Sequence, residues 1–145
     1  MLKIGITGQA GFVGSHLYNT LGLFPKEFTR INFKREYLYN NQALDAFVSQ
    51  CDVIVHLAAL TDVDKCQENY DLSYKINTKP CKIISKFAEK NNTFLIYVST
   101  DYVFDGQHGL RKESHLTNPQ TIYGKTKLEG ENIIKNSKNP WCIIR

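Results

Sequence analysis

The feature that most constrains this chain is a glycine-spaced turn set between a strand and a helix. Leu2–Thr7 is a short apolar run of β-leaning residues. It leads into Thr7-Gly8-Gln9-Ala10-Gly11-Phe12-Val13-Gly14, and Phe12, Val13, Leu17 and Leu21 then recur at helical spacing. A Gly-x-x-Gly-x-x-Gly run in that context predicts a phosphate cradle. Gly8 supplies a tight turn at positive φ, Gly11 lets a pyrophosphate approach the backbone, and Gly14 allows close helix packing. The unpaired N–H groups that open the helix, those of Phe12 and Val13 among them, then face an anion.

The rest of the chain extends this start into an alternation of strands and helices. Phe28–Phe33 reads as a second strand, and Lys34–Tyr39 as a short further strand. Asn41–Ser49 reads as a helix, and Asp52–Ala59 is a continuous apolar run of the kind a strand covered on both faces needs. Thr61–Asn69 is polar and reads as a loop. Asp71–Lys90 is helical, with a kink or break expected at Pro80. Phe94–Ser99 is a buried strand, Thr100–Thr117 a long loop, and Asn118-Pro119 opens a helix running to about Lys135. Trp141–Ile144 is a last strand. This order implies an α/β fold, a doubly wound parallel sheet of the Rossmann type forming one domain over residues 1–145.

Composition narrows the function classes. Of the 145 residues, 42% are hydrophobic and 22% charged, which excludes a disordered chain. The net charge of +4 is mild and the basic residues are scattered, so nucleic acid is not an expected partner. No apolar run is long enough to span a membrane. No leader-like segment precedes the first strand, and a cytoplasmic location is expected. Cys51, Cys66, Cys81 and Cys142 lack metal-ligand or Cys-x-x-Cys spacing and are expected to be packed, reduced thiols.

Two further groups carry chemistry. At the end of the second strand, where a cofactor's ribose is read, Lys34 and Arg35 stand in place of a carboxylate. They suit a 2′-phosphate, so NADPH is expected over NADH. Tyr123-Gly124-Lys125-Thr126-Lys127 places a phenol and an ammonium four apart on one helix face. The ammonium is expected to lower the phenol's pKa and fit Tyr123 for proton transfer to a carbonyl, with Lys127 also bonding the nicotinamide ribose; Lys125 is expected to face solvent. Ser99 and Thr100, at the carboxyl end of a buried strand, compete to bind the carbonyl oxygen.

These motifs resemble the short-chain dehydrogenase/reductase superfamily. Ser99-Thr100-Asp101-Tyr102-Val103-Phe104-Asp105-Gly106 and Tyr123–Glu131 are similar to the signatures of dTDP-4-dehydrorhamnose reductases. So are Asp52–Ala59 with the following Thr61–Cys66, and Asn77-Thr78-Lys79-Pro80. The resemblance implies a catalytic triad of Thr100, Tyr123 and Lys127. It implies cofactor contacts from Gly8, Gly11, Phe12, Val13, Gly14, Ala58, Ala59, Thr61 and Ser99, and sugar contacts from Val63, Asp64 and Thr100. The reaction implied is NADPH-dependent reduction of the 4-keto group of a nucleotide-linked deoxysugar, a step serving polysaccharide synthesis. The same motifs resemble the non-catalytic regulatory β subunit of methionine adenosyltransferase, and sugar-nucleotide epimerases and dehydratases. Those reductases are longer, so the chain is expected to correspond to their cofactor-binding part, without the C-terminal substrate-binding part. One sheet face is expected to be under-covered, with a second copy or a partner chain supplying what is missing.

Overall fold

The computed structural model describes residues 1–145. Five parallel strands, β1 (Leu2–Thr7), β2 (Phe28–Ile31), β3 (Val53–His56), β4 (Phe94–Val98) and β5 (Trp141–Ile144), form one sheet in the order β2-β1-β3-β4-β5. The chain runs outward from β1 to β2, then crosses back to place β3 on the other side of β1. This reversal opens a crevice at the carboxyl ends of β1 and β3, the place where such sheets bind ligands.

The two faces follow from strand alternation. Ile54, Leu95 and Tyr97 point to one face and pack with Leu44, Phe47 and Val48 of α2 (Asn41–Val48), Cys81 and Ile84 of α5 (Lys79–Asn91) and Ile134 of α6 (Ile122–Lys135). Ile4, Ile6 and Val55 point to the other and meet Leu21 of α1 (Phe12–Leu21). Continuous apolar runs in β3 and β4 therefore correspond to burial from both sides, as the sequence predicts. On the α1 face, cover thins toward β5, where Ile144 is 51% exposed beside its partner Val98.

Three local readings are corrected. Arg35–Tyr39 is a 3-10 turn rather than a strand. Thr61–Asn69 is not all loop. Asp62 accepts the Lys65 N–H at 3.0 Å and starts α3 (Val63–Glu68), whose sole buried residue is Cys66, so no apolar stripe marks it in sequence. The last helix begins at Ile122 instead of Asn118, because Thr121 caps it through the Gly124 N–H at 3.0 Å. The break at Pro80 is present. The short α4 (Tyr70–Ser73) passes into a π-helical turn over Tyr74–Thr78, and Pro80 sits in the first turn of α5, where its missing N–H costs nothing.

Candidate active site

The glycine turn is as tight as its spacing requires. Gly8 has φ +75, and a Cβ there would lie 2.8 Å from the Ala58 nitrogen, so the turn packs on the exit of β3. The Gly11 N–H donates to the Gly8 carbonyl at 2.9 Å. A Cβ on Gly14 would fall 2.2 Å from the Gly8 oxygen. Gly14 thus permits α1 to approach the turn itself rather than the sheet. No side chain caps α1, whose first residues Phe12 and Val13 are exposed, so its leading N–H groups stay available to an anion. Gln9 ties this turn to the end of β2, donating to Asn32 Oδ1 at 2.8 Å and to the Phe33 carbonyl at 3.0 Å.

Beside the turn lies a cavity of about 640 Å³ between the Arg35–Tyr39 turn and the π–α5 junction. Gly8, Arg35, Ala58 and Ala59 line it. Lys34 is exposed at the start of the 3-10 turn and does not. Lys75 and Lys79 do, and sequence reasoning missed them. Their four-residue spacing is the available signal. No carboxylate lines the cavity.

The loop after β3 is held by Asn77. Asn77 Oδ1 accepts the Leu60 N–H at 2.7 Å, while its Nδ2 donates to the Leu60 carbonyl at 3.1 Å and to Thr126 Oγ1 at 3.2 Å. Asn77 therefore fixes the cleft-lining loop to α6. Thr61 and Asp64 are exposed, and Val63 is half-buried at the start of α3.

At the tip of β4 the structure separates Ser99 from Thr100. Ser99 Oγ donates to Glu131 Oε1 at 2.6 Å, whereas the Thr100 hydroxyl donates to Asp101 Oδ1 at 3.3 Å, accepts the Tyr102 N–H at 3.2 Å and favours the ionised form of Tyr123. Tyr123 is 8% exposed and packs edge-on against Tyr102. Lys127, four residues on, is 2% exposed; Nζ donates to the Val98 carbonyl at 2.7 Å and lies 4.1 Å from the Tyr97 ring centroid. Lys125 is exposed, as expected.

The electrostatics correct one expectation. Burial raises the Tyr123 pKa, only partly opposed by Thr100, and Lys127 is not among the groups that lower it. Burial also brings Lys127 down to about 8, against the pull of Cys81 and Glu131. The same low-dielectric floor lowers His56 to about 3, by burial and then by the Lys127 charge. His56 Nδ1 lies 2.6 Å from Thr7 Oγ1, which accepts the Ala58 N–H at 3.2 Å.

His56 yields a pH prediction. A buried group held neutral contributes full stability above its unfolded pKa of 6.5 and loses it as pH falls toward 3. By pH 5 the loss is about 2 kcal/mol. Thermal melts of His56→Leu are expected to fall less between pH 7 and about 5 than those of the parent protein. Parallel pH dependences would remove His56 from the acid response.

The comparisons with known proteins bear on this geometry. The family model described as RmlD substrate binding domain matches residues 2–145. The chain belongs to that family. Within the RmlD family it is 31% identical to dTDP-4-dehydrorhamnose reductase of Aggregatibacter actinomycetemcomitans, over all of this chain and 51% of that protein. It is 42% identical to methionine adenosyltransferase 2 subunit beta of Danio rerio, over 89% of this chain and 42% of that one. A dTDP-4-dehydrorhamnose reductase from Bacillus anthracis, solved in complex with NADP, superposes with a TM-score of 0.90 at 31% identity, covering 98% of this chain and 52% of that structure. The chain spans about half the length of the curated relatives it matches. Its five-stranded RmlD sheet corresponds to the N-terminal part of the reductase structures. No helix is long and apolar enough to cross a membrane.

Proposed function

We propose that this chain binds NADP(H) across the carboxyl ends of β1, β3 and β4 and carries the proton-transfer residues of a nucleotide-sugar 4-keto reductase. The observation that carries the reading is the buried Tyr123 one helical turn from the buried Lys127 on α6, at the same end of the sheet as Thr100 and the glycine turn. The turn, the uncapped start of α1 and the carboxylate-free cavity fit a phosphorylated dinucleotide.

When bound, the nicotinamide supplies hydride chemistry. Thr100 holds the substrate's carbonyl oxygen near the phenol. Tyr123, kept protonated by burial, is in the correct state to give its proton to that oxygen. Lys127, charged at neutral pH and fixed on Val98, presents its remaining donors toward the ribose. Val63 and Asp64, at the start of α3, are the residues proposed to meet the sugar. The four free cysteines fit a reducing compartment, and the reaction is proposed for the cytoplasm.

The test is NADPH oxidation with a 4-keto-6-deoxy nucleotide sugar, followed by nicotinamide absorbance. Oxidation that depends on the sugar is expected. A second reading, a dinucleotide-binding subunit without turnover, draws on the similarity to methionine adenosyltransferase 2 subunit beta. Saturable NADPH binding with no oxidation of NADPH decides for it.

A further inference from the structure

We infer that the outer face of α5 is a docking surface for an acidic helical segment of a partner protein, met by the row Lys79, Lys82, Lys86 and Lys90. The inference is independent of the dinucleotide reading above.

Every exposed residue of α5 except Glu89 is a lysine. Spacings of three, four and four residues place the four side chains within an arc of about 80° and along about 16 Å of the helix. The apolar residues beside the row, Ile83 and Phe87, turn inward and pack against the core. Neighbouring acids leave the middle of the row uncompensated. Asp45 of α2 pairs with Lys90 at one end. Glu89 Oε1 is held by the Lys138 N–H at 2.9 Å. None of the chain's ion pairs uses Lys79, Lys82 or Lys86.

This pattern works against the helix that carries it. Like charges three and four residues apart repel on a helix surface. Lys79 is the first residue of α5, so its charge meets the positive end of the helix dipole. A face that served only solubility would mix signs and gain from glutamate–lysine pairs. Here the strain is relieved when opposite charge covers the row.

The chemistry of the face selects the partner. A membrane-surface helix carries apolar anchors beside its cations, and α5 exposes no large apolar side chain. Single-stranded nucleic acid needs aromatic platforms for its bases, and none is exposed here. A second copy docking through the same face would set lysines against lysines. A helix with carboxylates at three- and four-residue spacing presents a line of the same pitch and opposite sign. Such rim-type charge pairs act mainly on encounter rate and register, so the contact is salt-sensitive.

Fluorescence anisotropy of the full chain with labelled peptides tests this. The probe is an alanine-based helical peptide whose glutamates repeat at three and four residues along one face. Its comparison has the same composition with the glutamates dispersed around the helix. The aligned peptide is expected to bind roughly fivefold or more tighter at low salt, and Lys82→Glu/Lys86→Glu to weaken it about tenfold or more. Lys26→Glu/Lys112→Glu makes the same change in net charge at exposed positions off α5 and is expected to alter it by less than about twofold. Equal binding of the two peptides, or equal loss in the two variants, reduces the effect to net charge and overturns the assignment. Saturation by phosphatidylserine vesicles or single-stranded RNA at lower concentration than the aligned peptide overturns the choice of partner. Lys82→Gln/Lys86→Gln should leave the melting temperature unchanged or higher. A lower one makes the lysines part of the fold's own stability and also overturns the inference.

Discussion

Glu131→Ala is expected to lower the unfolding free energy by about 3 kcal/mol, the low end of what breaking a buried ion pair costs. Glu131 is fully buried on α6. Its Oε1 accepts from Ser99 Oγ at 2.6 Å and Arg145 Nε at 2.9 Å; its Oε2 accepts from Arg145 Nη2 at 2.6 Å and Lys135 Nζ at 3.0 Å. Removing the carboxylate leaves the Arg145 guanidinium, itself largely buried, with only the Glu113 carbonyl as a polar partner. Lys135 is more open and can turn to water, which keeps the loss near the low end. Burial raises the Glu131 pKa, but the hydrogen bonds from Arg145, Ser99 and Lys135 together outweigh it and hold the group below 4.5. A depressed folded pKa means stability that is complete above the unfolded value and is lost as pH falls through the folded one. Chemical denaturation at neutral pH should therefore separate parent from variant by the full amount, and the gap should narrow in acid. A neutral-pH gap under about 1 kcal/mol would show that the network contributes little net stability.

Tyr123→Phe is expected to reduce sugar-dependent NADPH oxidation by about a hundredfold or more, the range for losing a positioned proton donor. Cofactor affinity should hardly change, because Tyr123 does not line the cavity and the lost atom leaves the glycine turn untouched. Thr100→Val should lower the same rate by a smaller factor, since it orients the substrate without supplying the proton. Ser99→Ala should act mainly on stability, because its hydroxyl belongs to Glu131. Equal oxidation rates for parent and Tyr123→Phe would take the phenol out of the mechanism.

Much of this architecture was legible because it depends on local patterns. Three glycines between a strand and a helix, and an unbroken apolar run at Val53–His56, each have few structural solutions. Tyr123 and Lys127 could be placed on one face by helical arithmetic alone. What escaped depends on contacts between distant segments. Glu131 reads as an ordinary charged helix residue until β5 brings Arg145 against it. Lys75 and Lys79, both exposed, read as ordinary surface lysines until the Arg35–Tyr39 turn forms the opposite wall of the cavity they line. α3 buries only Cys66, so only its Asp62 cap marks it. The direction of the Tyr123 shift was misread for the same reason. The spacing shows that Lys127 is near, but the burial of the phenol and the lysine's bond to Val98 are tertiary facts.

The central claim is that a single dinucleotide spans the sheet from the glycine turn to Tyr123. Amide hydrogen exchange with and without NADPH tests it most directly. Slowed exchange is expected at two separated places, the Gly8–Gly14 turn and the segments around Thr100 and Tyr123, titrating together. Slowing at the turn alone, or at neither place in the folded protein, would contradict the account.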